Sequence, residues 1–167
     1  MKLKKIFSPS NILFLIILSI AIYTQIPAIT NNINQEGIEL PGLNLELAVE
    51  EGSVQFPPKS KAIAFFWSTS CPPCKLEMAR YKESINNGKI PEESFFAINP
   101  YESKETIEKF LKKNPHPFVF IKDKKLANFL NVQATPTTVL IENGKVHTMK
   151  TGLSVIGIWS AESFFKD

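Results

Sequence analysis

The sequence predicts an α/β domain, one sheet with helices on both faces, carried behind a single N-terminal membrane helix. Three observations carry that expectation. An apolar run near the N-terminus follows a cluster of lysines. Downstream, β-rich runs alternate with helical patterns. One short aromatic run, Ala62-Ile-Ala-Phe-Phe-Trp67, leads straight into Cys71-Pro-Pro-Cys74, which holds the only two cysteines in the chain.

Lys2, Lys4 and Lys5 precede the apolar run Ile12 to Tyr23, which continues less cleanly to Ile29. Positive charge before the run and little after it put the N-terminus in the cytoplasm and the rest outside. Such a run also fits a signal-peptide core, with Ser19-Ile20-Ala21 as a small-x-small cleavage site. That site is poor, so residues 1–29 are read as an uncleaved signal-anchor. Residues 30–37 are polar and read as a spacer that lifts the domain off the membrane. Residues 38–167 suit one domain with one core. The formal net charge of +3 includes the three N-terminal lysines, leaving a neutral remainder with no aromatic–basic interleaving, so no nucleic-acid partner is expected.

Within the domain, Ile38 to Phe56 alternates weakly and suggests an added β-hairpin, closed off by Pro57-Pro58. The run from Ala62 is the central strand. Lys75 to Asn87 is rich in helix formers and stops at Asn-Asn-Gly88. Leu76, Met78, Ala79 and Ile85 form its expected inward stripe, with Lys75, Glu77, Lys82 and Glu83 in solvent. Ser94 to Ile98 is a second strand. Ser103 caps a helix to Asn114 with Ile107, Phe110 and Leu111 inward. Pro117 to Ile121 is a third strand and Lys124 to Leu130 a short helix. Thr137 to Ile141 and Lys145 to Met149 form a hairpin about Asn143-Gly144, the strongest short turn signal. Leu153 to about Phe165 is the last helix.

The cysteine pair carries the chemistry. A zinc site would need a second Cys-x-x-Cys or a close histidine pair, and His116 and His147 are far apart. A c-type haem would need His after the second cysteine, where Lys75 stands. A purely structural bridge across so short a loop constrains the unfolded chain very little. A reversible disulfide is what remains. Cys71 falls near the N-cap of the following helix, where free N–H groups and the helix dipole favour a thiolate, so it is the expected nucleophile. Cys74, one turn further in, is the expected resolving thiol. Pro72 and Pro73 stiffen the first turn at positions whose N–H groups lack partners anyway.

A second signature is Ala134-Thr-Pro136-Thr-Thr-Val-Leu-Ile followed by Asn-Gly-Lys145, with Pro136 at the head of a strand, where a cis peptide would sit. Together with Trp67-Ser-Thr-Ser-Cys71-Pro-Pro-Cys74-Lys75, it resembles the thioredoxin-fold superfamily. Phe66-Trp67, Cys71, Cys74, Lys75, Glu77 and Met78 match the pattern of its membrane-anchored TlpA/ResA-type redoxins. The ending Gly152-Leu-Ser154-Val-Ile-Gly157-Ile-Trp159 is similar to that of the thioredoxin-like member of bacterial copper-sensitivity-suppressor systems.

The resemblance implies a thioredoxin-like fold, a mixed sheet flanked by helices with an N-terminal hairpin extension. It implies a thiol–disulfide oxidoreductase, a reductase or an oxidase, that acts on protein thiols and disulfides and is served by a redox partner protein. Its place would be the bacterial cytoplasmic membrane, single-pass, with the domain on the periplasmic side. Cys71 and Cys74 would be the redox-active disulfide, with no separate cofactor or metal. Pro136 would be a cis-proline against that disulfide, Thr135 would offer its backbone to a substrate strand, and Trp67 would pack beside the site. The alternative is a Cu(I)-binding, copper-tolerance module that uses the two soft thiolates as ligands. Two departures stand out. Phe65 replaces the buried Asp of thioredoxin six residues before the first cysteine, and Ser70 replaces the usual Trp. Glu77, read as a solvated helix residue, is not expected to supply the missing acid.

Overall fold

The computed structural model describes residues 9–154 and 156–166. Lys2, Lys4 and Lys5, on which the expected orientation rests, lie outside the described residues. Five strands form the main sheet: β3 (Ala62–Phe66), β4 (Phe95–Ile98), β5 (Val119–Ile121), β6 (Thr137–Glu142) and β7 (Lys145–Thr151). Their order is β5-β4-β3-β6-β7. β3 pairs in parallel with β4, and β4 with β5, whereas β6 is antiparallel to both β3 and β7. The sheet is therefore mixed, as expected. Parallel neighbours need crossovers, and helices α2 (Pro72–Asn86) and α3 (Lys104–Lys113) supply them.

β3 is buried at every position. Its side chains alternate between two apolar clusters, one on each face. Ile63 and Phe65 join Met78 and Tyr81 of α2, Ile107 of α3, and Ile158 and Ala161 of α5 (Gly157–Phe164). Ala62, Ala64 and Phe66 face Leu45, Phe56 and Leu126 on the other side. Leu45 and Phe56 belong to the extra hairpin, β1 (Leu43–Glu46) with β2 (Ser53–Phe56), and Leu126 to α4 (Lys125–Phe129). Phe65 occupies the place where an acid would have sat. It is fully buried, with ring centroids 5.6 Å from Tyr81 and 5.9 Å from Phe95.

The turn between β6 and β7 has φ 50° at Asn143 and 76° at Gly144, the left-handed pair that an Asn-Gly hairpin demands. Ser103 caps α3, accepting the Thr106 N–H at 3.3 Å. The last helix starts at Gly157, later than the expected Leu153.

The largest difference from expectation is at the N-terminus. Helix α1 (Pro9–Gln35) runs straight through the polar stretch that reads as a spacer. Thr30 to Gln35 are helical because that stretch has something to pack on. Ala28, Asn31, Asn32 and Gln35, spaced as one helical stripe, are partly covered by the domain. Asn31 Nδ2 donates to the carbonyls of Leu130 and Asn131 at 3.4 and 3.2 Å. Thr151 donates to Asn32 Oδ1 at 3.0 Å, and Thr148 to Glu36 Oε1 at 2.8 Å. The segment leaving the helix then pairs with the outer edge of β7, Gly37 N–H to Val146 O and Val146 N–H to Ile38 O. At the opposite edge of the sheet the chain past β1 does the same to β5, with Ala48 N–H on Phe120 O and Lys122 N–H on Glu46 O.

Phe95 lies among Phe65, Tyr81 and Phe118, the last at 4.5 Å between ring centroids. Phe95→Ala should therefore cost about 3–5 kcal/mol by lost burial and the cavity left behind. Denaturant unfolding of the detergent-solubilised chain measures it, and a cost below about 1 kcal/mol would contradict this packing.

Candidate active site

Strand direction fixes where the chemistry sits. β3 ends at Phe66, opposite Thr137 at the start of β6, and Thr137 is opposite Thr151 at the end of β7. Trp67 and Cys71, the Thr135–Pro136 bond and Gly152 thus gather at one end of the sheet. Gly152 N–H donates to Pro136 O at 2.7 Å, which ties two of these segments together.

Cys71 is the N-cap of α2, and Pro72 opens the helix where an N–H would be unpaired. Its Sγ accepts the Cys74 N–H at 3.2 Å and is joined to Cys74 in a disulfide. Cys71 keeps 8 % of its surface exposed and Cys74 none, so the first cysteine is the less enclosed of the two. The loop ahead of it is braced by Glu102, which accepts from Thr69 N–H at 2.8 Å and from the Thr69 hydroxyl at 2.5 Å. Asn99, buried at the end of β4, donates to the same carboxylate.

The Thr135–Pro136 peptide is cis. Pro136 is buried and Thr135 half-buried at the rim. Trp67 is fully buried, its ring 5.4 Å from Phe110 and 5.6 Å from Phe120, in the same apolar cluster as both cysteines. The structure thus places the five sequence-derived site residues at one end of the sheet.

Helix α2 overturns the expected stripe. Cys74, Glu77, Met78, Tyr81, Ser84 and Ile85 are buried, while Leu76 is 54 % exposed and Ala79 also faces solvent. Glu77 is 2 % exposed and lies three residues beyond Cys74 on the same face. Burial pushes its carboxyl up to about 7, against the pull of the Arg80 guanidinium and a hydrogen bond from the Ser154 backbone. One carboxyl oxygen, Oε2, has no hydrogen-bond partner among the described residues. A cavity of about 10 Å³, roughly one water molecule, adjoins it between Thr138, Lys150 and Ser154. Position 65 holds no acid, and a buried acid stands instead on the helix, at Glu77. Its signal was the Cys74-x-x-Glu77 spacing, which puts both groups on one helical face.

A cavity of about 610 Å³ lies elsewhere, against Leu47, Leu111, His116 and Phe118. At the disulfide end Ser70 and Pro72 are exposed and Thr135 is half-buried, an approach that suits an extended chain.

The thioredoxin-like domain family model matches residues 57–162, more than half of the chain. The chain belongs to this family. Among curated relatives, the thiol-disulfide oxidoreductase ResA of Halalkalibacterium halodurans is 30% identical over 117 residues, 68% of this chain and 62% of that protein. The sporulation thiol-disulfide oxidoreductase A of Bacillus subtilis is 26% identical over 120 residues, 68% of this chain and 73% of that one. The chain thus spans less than two thirds of the first of these relatives. The crystal structure of StoA from Bacillus subtilis superposes with a TM-score of 0.64 at 20% identity, over 75% of this chain and 96% of that one, and shares the fold. The expected likeness to ResA-type redoxins is borne out.

The raised Glu77 carboxyl has a consequence for stability. Between about 4.5, the ordinary glutamate value, and about 7, the folded chain keeps a proton that the unfolded chain has released. Stability contributed by that proton is full below pH 4.5 and falls as pH rises to about 7. Glu77→Gln should remove this decline and leave the variant more stable at pH 8, by on the order of 3 kcal/mol. Denaturant titrations across that pH range check it, and parallel curves for the two proteins would refute the burial.

Proposed function

We propose that the chain is a membrane-anchored, extracytoplasmic thiol–disulfide oxidoreductase that exchanges disulfides with protein partners through Cys71 and Cys74. One observation carries this reading. Cys71, the less enclosed of the pair, caps a helix and receives a backbone N–H, while Cys74 is fully buried three residues before the buried Glu77 on the same helix. Membrane anchoring is supported by α1, a 27-residue helix long and apolar enough to span a bilayer. On this reading residues 1–29 anchor, residues 30–37 join, and residues 38–167 catalyse.

In the reducing direction, the Cys71 thiolate attacks one sulfur of a partner disulfide and the other partner sulfur leaves as a thiolate. A mixed disulfide now joins Cys71 to the partner. Cys74 gives up its proton and attacks Cys71 Sγ, expelling the second partner thiol and closing the Cys71–Cys74 disulfide. Two electrons have passed to the partner, and a dithiol of the redox partner protein restores the pair by the same steps reversed. The reverse sequence, run on a partner dithiol, oxidises it.

Glu77 is the group placed to take the Cys74 proton. It shares the buried face of α2, and with a carboxyl near 7 it can hold or release a proton around neutrality. Thr135 and Pro136 at the rim would bind the partner strand by its backbone, with Trp67 as the floor beneath.

Limiting alkylation of the reduced chain, followed by mapping of the adduct, should label Cys71 ahead of Cys74. Preferential labelling of Cys74 would overturn the assignment. Glu77→Gln should slow closure of the mixed disulfide about tenfold or more and flatten its pH dependence near 7, leaving the first attack by Cys71 unchanged. Stopped-flow kinetics of the two steps separates them. A reporter fused after Asp167 should be active only when exported. Activity in the cytoplasm would reject the proposed compartment.

A further inference from the structure

The seam between α1 and β7 has a direction. Along it, Asn32 meets Thr151, Glu36 meets Thr148, and Gly37 meets Val146. Helix and strand therefore run antiparallel, and α1, followed back towards Pro9, continues past the Thr151 end of the strand. That is the end where Thr151 faces Thr137, where Gly152 binds Pro136, and where the neighbouring strand leads into Cys71. The apolar part of the helix thus projects from the disulfide end of the domain, not from the opposite one.

The contact also stops where the apolar run stops. Asn31 and Asn32 make the bonds to the domain, and the apolar residues of α1 before Ala28 are exposed. Asn32 stands three residues beyond Ile29, about 5 Å along the axis. A headgroup layer is roughly 5–7 Å deep on each side of the hydrocarbon. Thr151, level with Asn32, falls within that layer once the apolar run is seated in the bilayer. Three exposed apolar side chains ring this end: Tyr101 just past β4, Leu153 just past β7, and Phe129 beside the Leu130 carbonyl that receives Asn31. Aromatic and leucine side chains at such a depth suit the boundary between headgroups and acyl chains.

We propose that the α1–β7 seam seats the disulfide end of the domain on the lipid headgroup layer, so that Cys71 meets thiols and disulfides held at the bilayer surface. The proposal rests on the reading of α1 as a membrane anchor and deepens the proposed function. It specifies where the partner's sulfurs lie. Polar side chains make the seam, so it forms in water rather than in lipid, and it fixes the orientation before any partner arrives.

The test uses the full chain with Cys74→Ser, reconstituted in phosphatidylcholine vesicles that carry a small fraction of lipid with a pyridyl disulfide on its headgroup. The Cys71 thiolate attacks the lipid sulfur, a protein–lipid disulfide forms, and pyridine-2-thione leaves and is read by absorbance. A second chain carries about twelve Gly and Ser residues inserted after Ile29, which frees the domain to tumble some 20 Å from the surface. A water-soluble pyridyl disulfide sets the intrinsic reactivity of each and should react equally with both. With the lipid reagent, the uninterrupted chain should react about tenfold faster than the chain with the flexible insert. An equal or slower rate in a chain that stays with the vesicles after alkaline extraction overturns the seating and leaves the anchor intact. Loss of the chain on extraction overturns both. A Cys71 inert even to the soluble reagent would instead reject the proposed nucleophile.

Discussion

β3 has no exposed residue, and it is hydrogen-bonded on both sides, to β4 in parallel and to β6 antiparallel. A strand so placed cannot shift register without turning Phe65 and Phe66 out of their clusters. The polypeptide leaving it is therefore fixed in position and direction, and what leaves it is Trp67 to Cys71. The helix that follows starts at a proline and packs Met78 and Tyr81 back onto the same strand. Both cysteines belong to the same apolar cluster as Ile63 and Phe65 of that strand.

The acid–thiol pairing shows a trade between strand and helix. Had position 65 held a carboxylate, the Tyr81 and Phe95 rings would have lost their neighbour. With Phe there, the aromatic cluster is continuous and the buried carboxyl sits at Glu77, one turn along α2 from Cys74. Burying it is costly, and the Ser154 backbone and the nearby Arg80 offset part of the lost hydration. Arg80 also donates to Ser154 O at 2.9 Å, so the segment that begins the last helix is what closes over the acid. Gly157 makes that closure possible, because a Cβ there would meet the Ser154 side chain at 2.7 Å.

Most of the fold was legible because its signals were local. Asn143-Gly144, the Ser103 cap, the unbroken apolar run of β3 and the cysteines before Lys75 each determine a short piece of structure without help from distant residues. Legibility failed where a distant surface decides. Thr30 to Gln35 read as a linker, yet they are helical because Leu130, Asn131 and Thr151 pair with Asn31 and Asn32 from 99 to 119 positions away. Leu76 and Glu77 were misjudged for a related reason. A helical wheel puts leucine inside and glutamate outside, but α2 is rotated by the pull of Cys74, Met78, Tyr81 and Ile85 into the core. Leu76 was the residue left out.

The stretch that follows α1 touches both margins of the sheet. Gly37 to Leu40 lie against Val146 and Gly144 at one side, and Glu46 to Ala48 against Phe120 to Lys122 at the other. About a dozen residues thus wrap the sheet like a strap buckled at both ends. Open strand margins are templates for pairing with another chain. Molecules confined to a surface meet each other far more often than those free in solution, so an unguarded margin would invite neighbours to zip together. On the proposed anchoring, the strap would keep crowded copies from joining through the margins of their sheets.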